Sequence, residues 1–230
     1  MPHPTTISTQ LHQVQQRMHQ ACEKAGRDPR SVRLLAVSKT FVASQIAEAF
    51  AAGQTAFGEN YIQEAVEKIA ALAHLPLEWH CIGPIQSNKT RLVAEHFDWV
   101  QSVDRLKIAQ RLSEQRPDNL APLNVCLQIN IDGGPTKSGV APEEALALAQ
   151  AVSQLPRLRL RGIMTIPEPS VDFASAIKAH REARALFDAL CQSGLALDTL
   201  SMGMSADLEA AIAEGSTMVR VGSAIFGGRA

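Results

Sequence analysis

Residues 33–60 read RLLAVSKTFVASQIAEAFAAGQTAFGEN, and the fold is decided there. Residues 33–38 form a short apolar run, the pattern of a strand buried on both faces. Residues 43–53, ASQIAEAFAAG, change to helical spacing, and Gly53 closes them. Residues 55–59, TAFGE, return to a strand. A strand, a helix and a second strand in this order predict a parallel pair with the helix packed outside.

Outward from this unit the alternation repeats. An opening helix is predicted from about Ser8 to Gly26. After the quoted stretch come a helix over YIQEAVEKIAAL, a strand over LEWHCIG, and a short helix after QSNK with Ser87 or Asn88 placed to cap it. The strand DWVQSV follows, with Asp104 placed to cap the next helix. Then come the strand NVCLQINI and the helix APEEALALAQAVSQL, with Pro142 near its first turn. LRLRGIMTI, DTLSMG and TMVRVGSAIF read as the last three strands. Between them lie a long helix over 173–192, stopped by Gly194, and a helix over ADLEAAIAEG. The expected fold is a modified TIM (β/α)8 barrel with an extra N-terminal helix, one domain over residues 1–230. The last helix is degenerate or replaced by the N-terminal one. The alternative is an open doubly wound sheet, but no G-x-G-x-x-G follows the first strand.

Composition removes other classes. The chain has 230 residues, enough for a sizeable core, with 46% hydrophobic residues, 20% charged residues and a net charge of -1. It has no basic stripe, so no nucleic-acid partner is expected. No apolar run reaches membrane length, and the first residues lack a charged segment followed by an apolar one. Cys22, Cys81, Cys126 and Cys191 are scattered without a C-x-x-C pair, and the seven histidines show no H-x-x-x-H spacing. A reduced cytoplasm and no structural metal are expected. Cys81 and Cys126 lie in apolar runs and read as small buried hydrophobes.

In such a barrel the chemistry sits where strands end. The first strand ends at Lys39, and alternation puts Leu35, Val37 and Lys39 on one face. An inward, desolvated lysine has a lowered pKa and can form a Schiff base; the alternative is a solvated lysine just past the strand. The second strand ends in Glu59 and Asn60. SMGMSADLEAA brings Ser201, Gly203, Met204 and Ser205 before a helix, and VGSAIFGG brings Gly222 and Ser223 after the last strand. Glycines admit a phosphate to backbone N–H groups and hydroxyls donate to it; each motif alone is also an ordinary turn. Opposite an inward lysine, they suggest a phosphorylated aldehyde such as pyridoxal 5'-phosphate (PLP). Arg220, two residues before Gly222, suits the pyridine nitrogen. An arginine only donates, so that nitrogen stays unprotonated and the ring is a weaker electron sink.

LLAVSKT, FGENYIQEA, WHCIGPIQSNK, TKSG, LRGIMTI and LSMGMSADLEAAIAEGSTMVRVGSAIFG follow one another in order. Over residues 8–228 they resemble the pyridoxal-phosphate homeostasis protein family, which is similar to the barrel domain of alanine racemase. The resemblance implies a monomeric barrel carrying PLP, with the Schiff-base lysine at Lys39 and the pyridine-facing arginine at Arg220. It implies phosphate contacts in the loops of Ser201–Ser205 and of Gly222 and Ser223. It puts Asn60 near the ring's polar edge and Val37 and Met164 near its faces. The chain departs from the family where a lysine and a proline often follow SKT; Phe41 and Val42 stand there. Lys137, in the glycine-rich DGGPTKSG, matches a family position and also reads as a solvated loop lysine.

Three functions compete. A PLP carrier would hold the cofactor for PLP-dependent apoenzymes. A racemase needs a second acid–base group opposite the lysine. In that family it is a tyrosine from a further domain, for which no room is expected after strand eight; the sole tyrosine, Tyr61, reads as packing. A Schiff-base aldolase would use the same phosphate motifs for its substrate. The carrier is the favoured reading.

Overall fold

The computed structural model describes residues 6–133, 138–169 and 172–228. Eight parallel strands close into a barrel in sequential order. They are β1 (Arg33–Val37), β2 (Ala56–Glu59), β3 (Glu78–Cys81), β4 (Trp99–Val103), β5 (Leu123–Ile129), β6 (Leu158–Thr165), β7 (Thr199–Ser201) and β8 (Met218–Val221). The ring closes where Leu34 and Leu35 of β1 pair with Val219 and Arg220 of β8. The expected barrel is therefore the observed one, and the doubly wound alternative is not.

The helices alternate outside. They are α1 (Ile7–Lys24), α2 (Ala43–Ala51), α3 (Ile62–Ala71), α4 (Thr90–His96), α5 (Leu106–Gln115), α6 (Ala145–Ser153), α7 (Phe173–Gln192), α8 (Leu208–Ala213) and α9 (Ser223–Phe226). Ile7, Leu11, Val14, Met18, Ala21 and Cys22 bury one stripe of α1 at three- and four-residue spacing. The Thr6 side chain caps that helix by accepting from Thr9 N at 3.2 Å. Because α9 is a single turn, α1 fills the gap beside it, packing on α8 and α9.

Two local expectations fail. TMVRVGSAIF is not one strand: β8 stops at Val221 and Ser223 opens α9. The apolar run misled because a buried turn of helix is as apolar as a strand. Neither Ser87, Asn88 nor Asp104 caps a helix through its side chain. Residues 87–89 form a 3₁₀ turn leading into α4, and Asp104 pairs with Arg105 at 2.8 Å instead.

Inside the barrel the side chains stack in layers. Leu35, Val37, Ala56, Ile82 and Met218 form one cluster; Trp99, Cys126 and Met164 form another. Burial pushes the thiols of Cys81 and Cys126 up to about 12, so both pack as inert hydrophobes. Among the described residues no helix is long and apolar enough to cross a membrane, and no three His, Cys, Asp or Glu side chains cluster to hold a metal ion.

Candidate functional site

At the C-terminal mouth of the barrel lies a cavity of about 430 Å³, within the size range of small-molecule sites. Val37 and Lys39 enter its wall from the end of β1, and Asn60 from the end of β2. Met204 and Ser205 come from the loop after β7, and Arg220, Gly222 and Ser223 from β8 and the turn beyond it. These nominated residues, far apart in sequence, share one space.

Lys39 is half-buried, and among the described residues nothing bonds its ammonium. Its backbone is held instead. Lys68, on α3, donates to Ser38 O at 2.9 Å, just before Lys39. Glu64, one turn earlier on α3, accepts from Thr40 N at 2.7 Å, just after it. Lys68 also bonds Glu59 Oε1 at 2.9 Å and pairs with Glu64, while Ser38 Oγ donates to Glu59 Oε1 at 2.6 Å. Burial pushes the Glu59 carboxyl up, against the pull of the bonds from Ser38 and Lys68. Between these clamps Thr40 takes a left-handed backbone, φ 69°. A β-branched residue there costs about 1–3 kcal/mol and persists only when its surroundings dictate it.

Arg220 is buried on β8, the strand that pairs with β1. Its Nη1 donates to Ser201 Oγ at 2.7 Å and its Nη2 to Thr165 O at 2.7 Å. Desolvation lowers its pKa to about 10, which leaves it a cation at neutral pH. Asn60 contributes a buried Oδ1 that has no hydrogen-bond partner among the described residues. Gly222 lets β8 close on β1, since a Cβ there would stand 3.1 Å from Val37 O. The loop after β7 is braced from two sides: Arg17 of α1 donates to Ser205 O at 3.1 Å, and Asp207 accepts from Met204 N at 2.7 Å. The extra N-terminal helix thus supports the cavity wall.

Three nominated residues do not reach the wall. Met164 is fully buried one layer deeper, with Trp99 and Cys126; Ile166, two residues on and on the same face, lines the cavity instead. Ser201 has its hydroxyl occupied by Gln101 and Arg220. Gly203 is buried behind the loop at φ 98°, where a Cβ would meet that of Ala211 at 2.4 Å. Its role is to make the turn. Lys137 lies outside the described residues.

Sequence reading missed Thr40, Ile82, Ile166 and the Glu64–Lys68 pair. Glu64 and Lys68 are four apart on a helix, the usual pattern of a solvated ion pair. Phe41 stacks on Phe226 with ring centroids 4.9 Å apart. That pair ties the β1 loop to α9.

A family model described as "Alanine racemase, N-terminal domain" matches residues 9–230, so the chain belongs to that family. Within it, the chain belongs with the pyridoxal phosphate homeostasis proteins. The one from Pseudomonas aeruginosa is 61% identical over 98% of this chain and 96% of its own length. The structure of PipY from Synechococcus elongatus PCC7942 with PLP bound superposes with a TM-score of 0.85 at 39% identity, over 96% of this chain and 100% of that one. An alanine racemase from Clostridium difficile 630 shares the fold, with a TM-score of 0.72 at 16% identity; the match covers 94% of this chain and 56% of that one.

Proposed function

We propose that this chain binds PLP in the cavity at the barrel mouth and serves intracellular PLP homeostasis, holding the cofactor covalently at Lys39. One observation carries the reading: an unpartnered lysine, a buried arginine, an orphaned amide oxygen and two serines line the same cavity. That donor set suits a phosphorylated pyridine aldehyde. Bound PLP supplies an aldehyde that condenses with an amine, and a phosphate that anchors it. Lys39 keeps its amine free because α3 grips only its flanking peptide groups. Arg220 spends part of its fork on Ser201 and Thr165 and keeps other N–H groups for the pyridine nitrogen, which it cannot protonate. Ser205 and Ser223 donate to the phosphate, and Asn60 faces the ring's polar edge. Met204 and Val37 flank the ring.

The carrier reading is favoured over a racemase by Tyr61. It is the only tyrosine, it is 54% exposed, and it is not in the cavity wall. Among the described residues no side chain there, apart from Lys39, resembles the opposing base that racemisation needs. We infer a cytoplasmic monomer that passes PLP to PLP-dependent apoenzymes. Titration of the purified protein with PLP tests the reading. A visible absorption band is expected, and borohydride reduction followed by peptide mapping should put the pyridoxyl label on Lys39. No band, or a label found mainly on Lys137 or Lys89, overturns it.

A further inference from the structure

A chain of polar side chains crosses the barrel interior from its N-terminal rim to Arg220. Glu78 opens β3 and accepts from Arg33 of β1 at 2.7 Å. His80, two residues on, is fully buried with Nε2 2.7 Å from Glu78 Oε1. Gln101 of β4 meets His80 Nδ1 at 2.9 Å and Ser201 Oγ at 2.6 Å. Ser201 then meets Arg220 at 2.7 Å. Four strands contribute its last four links.

Elementary donor chemistry gives this chain a single direction. A guanidinium only donates, so Ser201 Oγ accepts from Arg220. The one serine hydrogen then goes to Gln101, which must present its carbonyl oxygen. The Gln101 amide nitrogen consequently faces His80 Nδ1 and the Met218 sulfur at 3.2 Å, both acceptors. His80 Nδ1 must be bare, and the ring hydrogen sits on Nε2, donated to the Glu78 carboxylate. Burial favours the same neutral ring. The charges around it are Glu78, Arg33 and Asp98. Trp99 stacks on it at 5.0 Å and 12° between planes, so the imidazole has little room to turn.

We propose that Gln101 and His80 are positioning residues for Arg220: through Ser201 they hold the guanidinium in one orientation toward the cavity, with His80 fixed as the neutral Nε2–H tautomer. That the guanidinium meets PLP rests on the function proposed above; the chain of bonds does not. Gln101→Glu tests it at nearly constant shape. A carboxylate still accepts from Ser201 but cannot donate to His80 Nδ1, so the ring must take a second proton. Nitrogen NMR of the ligand-free protein should show a neutral Nε2–H ring in the wild type and a doubly protonated one at neutral pH in Gln101→Glu. Ser201→Ala, a smaller change checked for folding by its melting temperature, should broaden the Arg220 Nε–H resonance in the ligand-free protein. It should also weaken PLP binding about tenfold and move the visible band. A His80 that stays neutral and Nε2-protonated in Gln101→Glu overturns the proposal, as does an unchanged Arg220 resonance in Ser201→Ala. Failure of the PLP reading looks different: the wild type itself binds no PLP, while the ligand-free spectra still decide the chain.

Discussion

Two polar networks support the cavity, one beneath Lys39 and one behind Arg220, and they work in different ways. The one beneath Lys39 is compact and ionic. Glu59, Glu64 and Lys68 are all charged types, two of them from one helix, and they act on the backbone around Lys39. It even leaves Glu59 Oε2 without a partner among the described residues. The one behind Arg220 is long, has neutral links at Gln101 and Ser201, and acts on a side chain. On the proposed function, the difference follows from what each end must do. An amine that is to condense with an aldehyde cannot be bonded away, so a flexible lysine is aimed through its peptide groups. A guanidinium has five N–H donors, so part of the fork can be anchored while the rest stays free.

The comparison can be broken most severely at Lys39 itself. Lys39→Ala should abolish the borohydride-trapped label and the visible band, leaving weak noncovalent PLP binding; mass spectrometry and a titration read both. Lys68→Met removes the one cation from the compact network and leaves Glu59 buried beside a second carboxylate. Breaking a buried pair this way costs about 3–5 kcal/mol, which should appear as an earlier denaturation midpoint. Ser205→Ala and Ser223→Ala leave both networks intact and should each weaken PLP affinity about tenfold. Unphosphorylated pyridoxal should bind these two variants as it binds the wild type; an equal loss for pyridoxal would remove them from the phosphate. The smallest effect is expected at Thr40. Thr40→Gly relieves a left-handed backbone and should stabilise the fold by about 1 kcal/mol, measured in urea. A loss instead would show that the Glu64 clamp needs the threonine.

The barrel was legible because its signals are local. A strand buried on both faces and a helix with one apolar stripe can be told apart within ten residues, and Gly53, Gly194 and Gly215 each end a helix near its expected stop at positive φ. Lys39, Arg220 and the two serine–glycine loops were legible as ends of strands, since fold class alone says that strand ends meet at one mouth. Met164 was a misreading by one layer: periodicity gives the face of a strand, whereas depth along the barrel axis depends on how neighbouring strands are staggered.

By itself, then, the sequence determined the eightfold alternation, the face on which Lys39 lies and the residue types that gather at the mouth. Only the tertiary structure decided what supports them. Lys68 and Glu64 read as surface residues until α3 is packed over the end of β1, and burial turns an ordinary ion pair into a clamp. His80, Gln101, Ser201 and Arg220 lie on four different strands, with Gln101 and Ser201 a hundred residues apart, and no local pattern links them. Their order exists because parallel strands closed into a ring bring one side chain from each to the same axis. A hydrogen bond's direction is set by the partner it meets there.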